Sequence, residues 1–277
     1  MVRLSVVLLA VAAVAHAEPG SIDWSKRVIR ATGQGAPDLN AANIAVARLG
    51  AERAAKLDAL RNILETLKGV SVASGQTAGD VFADAAVKAK VEGVCKGFKI
   101  IEPKRYYSDG GVEMDVEMPI DAVAGILIDK AAPAKPPEAP KVSPPKGELP
   151  PPVPDKEKSA GIIAPEKPTG LVIDARGLKA TPAFAPRVFD EAGKEIYGPA
   201  IVSREAALKT GVAGYATDLE KAKKDERVGP SPAVIKAIKL ANAGKSDLVI
   251  AARDAAGIVG PTDNRALAEG RVIIVTD

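Results

Sequence analysis

Twelve of the chain's 22 prolines fall between residues 131 and 168, and this block limits the fold more than any other feature. Proline lacks the amide hydrogen and fixes φ. Runs such as Pro136-Pro137 and Pro150-Pro151-Pro152 therefore enter neither a helix interior nor a central strand. Mixed with Lys, Glu and Ala, the block favours polyproline II, a hydrated spacer that can hold its ends up to about 120 Å apart. It divides the 277 residues into an N-terminal domain over 18–130, a linker over 131–168 and a C-terminal domain over 169–277. Each flank is of ordinary domain size and is expected to build its own core.

Residues 1–17 carry a different signal. Arg3 precedes an apolar run over 4–15 that closes on Ala15-His16-Ala17. A short apolar core ending in a small-x-small pattern reads as a secretory leader, cleaved between Ala17 and Glu18. The run is too short for a permanent membrane span. Cleavage removes His16, the only histidine, so the exported chain is expected to work in the periplasm without one. Histidine is the commonest general base and activates most nucleophiles, so the catalytic options narrow sharply.

Charge and cysteine narrow them further. Loss of Arg3 leaves 37 basic against 35 acidic residues, a net charge of +2, and aromatic residues make up 3% of the chain. A nucleic-acid binder would show a marked basic excess with stacking aromatics, so that class is set aside. Cys95 is the only cysteine, which excludes an intramolecular disulfide. In Val94-Cys95-Lys96 it reads as a small buried residue. No cysteine follows the leader, so no direct lipid anchor is expected.

The N-terminal domain opens with a strand over 27–32, ended by Gly33-Gln34-Gly35. A long helix over 41–68 follows, with an apolar stripe of Val46, Leu49, Leu57, Leu60, Leu64 and Leu67. Arg48, Glu52, Lys56 and Glu65 fall on the other face, and Lys68-Gly69 supplies a basic last turn and a left-handed stop. A shorter helix is expected over 80–92. Strands over 98–107 and 112–120 then flank Asp109-Gly110-Gly111 as a hairpin. Val112, Met114, Val116, Met118 and Ile120 face inward there, and Glu113, Asp115 and Glu117 face out.

The C-terminal domain reads as mixed α/β. Strands are expected over 171–174, 187–189, 194–197, 248–251 and 272–275, and helices over 204–210 and 218–224. Ser231-Pro232 looks like a capped helix start leading to a stop at Gly244. The fold class is therefore α+β: a long helix on a small antiparallel sheet, a proline-rich linker and a mixed α/β domain.

Few motifs carry chemistry. Gly33-Gln34-Gly35 lacks the third glycine of a phosphate loop, since position 38 is Asp. Glu113, Asp115 and Glu117 alternate along one strand face about 7 Å apart, too far for one cation without loop ligands. Lys104 or Tyr106 could face that stripe. It is a solvated sheet face or, functionally, a surface for a basic partner. Asp174, Arg176, Asp190 and Glu191 lie near strand ends, where paired carboxylates could hydrolyse a glycosidic bond and turn chemistry explains them equally well. No catalytic residue, cofactor or metal site is assigned.

Several stretches together resemble a known family. They are Trp24-Ser25, ATGQGAP at 31–37, ARLGAERAAKLDALRNILETLKGVSV at 47–72, VEGVCKGFKIIE at 91–102 and SDGGVEMDVEMPI at 108–120. This half resembles small bacterial envelope lipoproteins whose domain also forms the N-terminal part of flagellar assembly protein T. The second half, with GLVIDARGLKATPAFAPRVFDEAGKEIYG at 170–198, YATDLEKAKKDERV at 215–228 and NRALAEGRVIIVTD at 264–277, resembles the domain that accompanies it in many envelope proteins. The resemblance implies a non-catalytic, secreted protein taking part in envelope assemblies such as the ring around a flagellar rod. Envelope or flagellar basal-body proteins would be its partners, with Glu113, Asp115 and Glu117 as the candidate interaction residues and self-association open. The competing classes are a carboxylate-based periplasmic hydrolase and a small-ligand binding module.

The leader reading makes the first prediction. Mass spectrometry of the protein from an envelope fraction should find a chain beginning at Glu18, and an intact Met1 there would overturn export by a cleaved signal.

Overall fold

The computed structural model describes residues 20–130, 168–241, 245–258 and 265–277. The leader, with its cleavage point between Ala17 and Glu18, and the proline-rich segment over 131–167 lie outside the described residues.

The N-terminal half runs β1 (Gly20–Asp23), β2 (Val28–Gly35), α1 (Ile44–Lys68), β3 (Ser71–Ala73), β4 (Gln76–Thr77), α2 (Ala78–Val81), α3 (Ala85–Cys95), β5 (Lys99–Tyr106), β6 (Val112–Pro119) and α4 (Asp121–Ile128). Four strands form an antiparallel sheet in the order β1-β2-β6-β5. Alternation along β6 buries Val112, Met114, Val116 and Met118 on the face that α1 covers. Gly110 closes the β5–β6 hairpin at φ +87°, a left-handed turn position that glycine adopts freely.

Helix α1 meets the sheet through its smallest residues. Ala51, Ala55, Ala59, Ile63 and Leu67 are fully buried, one per turn. The glycines of Gly33-Gln34-Gly35 do not end the strand, as the sequence had suggested. They lie inside β2, where a side chain at Gly33 would fall on the Ala55 carbonyl and one at Gly35 on the Ala51 carbonyl. Backbone meets backbone there, and only alanine fits the facing side of the helix. The leucine-rich stripe is consequently displaced from the sheet. Leu67 is buried, Leu60 and Leu64 are half-buried against the core, and Val46, Leu49 and Leu57 are exposed. Glu52, expected on the open side, is half-buried beside Lys104. Asn43 caps the start of α1, and Gly69 ends it in the right-handed region rather than the left-handed one.

The helix expected over 80–92 is two helices. Thr77 and Asp80 form a reciprocal capping box for α2, and Asp84 accepts from the amides of Ala86 and Val87 to start α3.

The C-terminal half contains β7 (Leu171–Asp174), β8 (Val188–Phe189), β9 (Glu195–Tyr197), α5 (Arg204–Thr210), β10 (Gly214–Ala216), α6 (Leu219–Lys223), β11 (Ala233–Leu240), β12 (Leu248–Ile250), α7 (Ala252–Ile258), α8 (Arg265–Ala268) and β13 (Val272–Val275). Its seven-stranded sheet has the order β10-β13-β7-β11-β12-β8-β9. The β10-β13-β7-β11 part is parallel, and β11-β12 and β8-β9 are antiparallel. β7 and β13 are covered on both faces, by Leu171, Ile173, Val272 and Ile274 on one and by Val172, Ile273 and Val275 on the other. Burial on two sides explains their unbroken apolar sequence.

The helix expected over 231–244 is instead β11, and Gly244 lies outside the described residues. Ala233, Ile235 and Ala237 are buried at period two, with Lys236 exposed between Ile235 and Ala237. Pro232 sits just before the strand, where its missing amide is tolerated.

The contact between α1 and β2 yields a paired prediction. Gly33→Ala and Gly35→Ala should each lower unfolding free energy by about 1–3 kcal/mol through overpacking. Gly50→Ala should raise it by about 0.5–1 kcal/mol, since Gly50 lies within α1 with open space around its Cα. Urea titration measures all three, and equal behaviour at the three glycines would contradict the assignment of helix faces.

Candidate interaction surface

The face of the N-terminal sheet opposite α1 carries the acidic stripe. Glu113, Asp115 and Glu117 stand on it as the alternation predicts, but each is engaged by a neighbouring strand. Arg105 of β5 donates from Nε to Glu113 at 2.6 Å and from both terminal nitrogens to Asp115 at 2.7 and 2.9 Å. On the β2 side, Gln34 donates to Glu113, Thr32 to Asp115 and Arg30 to Glu117, each at 2.7 Å. The hydrogen bonds from Arg105 hold Asp115 below the usual carboxylate range against a burial cost. Burial pulls Glu113 upward, but Arg105 and Gln34 together outweigh it and leave it lowered. The Arg105 guanidinium is correspondingly stabilised in its charged form.

Lys104 and Tyr106 do not face this stripe. β5 pairs even-numbered residues with even-numbered residues of β6, so both side chains turn to the α1 side. There Lys104 Nζ lies 3.0 Å from Glu52, and the Tyr106 hydroxyl donates to the other Glu52 oxygen at 3.0 Å. Arg105 is the residue that the sequence reading missed. Its charge opposite two carboxylates becomes visible only once the register shift between Ile101 and Arg105 is known.

A second polar group joins the two halves. The Ser74 hydroxyl donates to Asp247 at 2.7 Å and accepts from Arg187 at 3.2 Å, while the Arg187 amide donates to Asp247 at 3.2 Å. Arg187 and Asp247 are buried. Burial raises the Asp247 pKa, opposed by the hydrogen bonds from Ser74 and from the Arg187 amide. Glu195 beside them is raised by burial in the same way. Backbone bonds reinforce the joint, since the amides of Phe184 and Ala185 donate to the carbonyls of Ser71 and Val72. Trp24 packs edge-on against Phe184 and Tyr215, at centroid distances of 5.5 and 5.3 Å. One sequence signal pointed to this joint: Trp24 is the only tryptophan of an aromatic-poor chain.

The remaining candidates each have a partner or a buried setting. Asp174 pairs with Arg176 at 2.8 Å, Asp190 accepts from the Lys194 amide, and Glu191 accepts from the Ala252 amide. Cys95 is buried in the N-terminal core, and burial pushes its thiol up to about 12. A cleft of about 820 Å³ lies between the halves beside Trp24, Arg27, Asp121 and Arg227. Arg227 there spends its guanidinium on the carbonyls of Thr210, Gly211 and Gly270, tying the end of α5 to the turn after α8. Among the described residues, no three His, Cys, Asp or Glu side chains cluster as metal ligands, and no helix is long and apolar enough to cross a membrane.

Residues 170–277 match the family model described as Treponema pallidum Tp0624, second domain. The matched span begins one residue before β7 and includes the whole described C-terminal sheet. No curated protein matches the chain.

The bridging arginine makes the sheet face acid-sensitive. Arg105→Gln should cost about 1 kcal/mol at neutral pH, as loss of a partly exposed ion-pair network does. Asp115 and Glu113 have folded pKa values below their unfolded ones, so their stabilisation is present above the unfolded value and lost as pH falls through the folded value. The gap between native protein and variant should therefore be full at neutral pH and close below about pH 4. A gap that persists in acid would show that Arg105 acts by packing alone.

Proposed function

We propose that this is a non-catalytic protein of the periplasm and cell envelope, working by protein–protein contact through the open face of its N-terminal sheet. Its partners in this reading are envelope or flagellar basal-body proteins, and no cofactor takes part. The observation that carries the proposal is the ladder Arg30–Glu117, Thr32–Asp115–Arg105 and Gln34–Glu113–Arg105, spread across three strands with no helix over it among the described residues. Fixed charges of both signs on a flat, rigid surface select a partner by complementarity and steer its approach. The polar joint and Trp24 brace that surface against the C-terminal half, so a load on one half reaches the other. The resemblance to envelope lipoproteins and to flagellar assembly protein T supplies the setting.

Replacing Glu113, Asp115 and Glu117 together by Ser leaves Arg30 and Arg105 without their carboxylates and turns the face basic. Recovery of partners from envelope extracts should then fall, most strongly at low salt, where surface charge is least screened. The melting temperature should drop only as far as it does for Arg105→Gln. Retention of every partner by the triple variant would remove the sheet face as the working surface.

A further inference from the structure

The side of α1 turned away from the sheet is apolar and basic at once, and its first half is open. Val46, Leu49 and Leu57 are exposed there, Leu57 to 68%. Arg53, Lys56 and Arg61 project between and beside them at helical spacing, exposed and without an ion pair among the described residues. The acids of the same helix are already engaged. Glu52 holds Lys104, Glu65 holds Lys68, and Asp58 accepts the Gln34 amide. At the start of the helix, Leu39 and Ile44 are exposed as well, Ile44 on the azimuth of Ala51 and Ala55. The half-exposed Tyr106 lies beside the start of the helix, with Arg48 over its ring at 5.0 Å.

We infer that this side of α1 docks on an anionic lipid bilayer, with Val46, Leu49 and Leu57 entering the interface and Arg53, Lys56 and Arg61 meeting the phosphates. Charge decides against a second copy of the chain. Two such helices face to face would oppose three cations to three cations, because the acids of α1 lie off that face. Shape decides against a cleft in a protein partner. Apolar side chains that stand singly on a convex ridge, interleaved with cations, suit a planar interface whose outer layer is anionic and whose inner layer is hydrocarbon. Tyrosine at the margin matches the headgroup level. This surface lies on the opposite side of the sheet from the charge ladder, so the inference goes beyond the proposed protein contact and does not depend on it.

The test uses protein recovered from the envelope fraction, with the N-terminus it has there, mixed with phosphatidylglycerol-rich or pure phosphatidylcholine vesicles and sedimented. Binding to the anionic vesicles alone is expected. At roughly fivefold per cation, Arg53→Ser, Lys56→Ser and Arg61→Ser together should weaken it about a hundredfold. Leu49→Ser with Leu57→Ser should weaken it by at least about tenfold, with unchanged melting temperatures because all five positions are exposed. The Glu113, Asp115 and Glu117 triple variant should keep its vesicle binding, which separates failure of this inference from failure of the sheet-face reading. Equal binding to both vesicle types, no binding, or indifference to both sets of substitutions would overturn it. So would a dimer in vesicle-free solution that the same substitutions disperse.

Discussion

The approach of α1 to β2 sets the dimensions of the N-terminal half. Gly33 and Gly35 remove the side chains that would hold helix and strand apart, and Ala51, Ala55 and Ala59 bring the helix down onto the strand backbone. Such a short separation makes two demands. The interior must close around small residues in the middle, so bulk moves to the flanks, where Ile63, Leu67, Met114 and Met118 fill the space. The larger apolar residues of α1 must also find another place, and half of them lie in the open. A surface of that kind is a consequence of the packing geometry before it is anything else.

The two halves meet through polar and aromatic groups. Phe184 belongs to the core of the N-terminal half although it comes from the C-terminal stretch, and Ala73 makes the reverse exchange. With Arg187 and Asp247 buried at the joint and Ser74 half-buried between them, separating the halves would expose two charged groups and a tryptophan together. Buried charge networks of this sort contribute little net attraction, yet breaking one member leaves another stranded. The joint therefore specifies one orientation of the halves more than it adds to their stability.

Where the sequence was legible, a single periodicity had no rival. The β5–β6 hairpin, β13 and α5 follow from alternation, an unbroken apolar run and helical caps. The stripe on α1 was misread because leucine spacing looks like a core, while the face in contact was written in alanine, which carries little hydropathic contrast. β11 was misread because Ser231-Pro232 is a strong helix start in isolation. The competing signal, small and apolar residues at 233, 235 and 237 around Lys236, was the one that the parallel neighbour β7 supports. The candidate surface was half legible. Alternation placed Glu113, Asp115 and Glu117 outward, but the arginine that bridges two of them is aligned by an irregularity in β5 that no local pattern announces. The joint at Ser74, Arg187 and Asp247 joins residues far apart in the chain and left no local trace.

The strand order of the C-terminal sheet has a kinetic consequence. Leu171 at its centre lies beside both Ala233 and Val272, so the middle of the sheet cannot form until very distant stretches of chain have met. The N-terminal sheet shares the constraint: its β5–β6 hairpin joins near neighbours, but Val28 of β2 lies beside Pro119 of β6. Local pairings form quickly and distant ones slowly. Each half thus has a centre that waits on distant stretches of chain, and the joint of Ser71 and Val72 with Phe184 and Ala185 closes only once both have brought those stretches together.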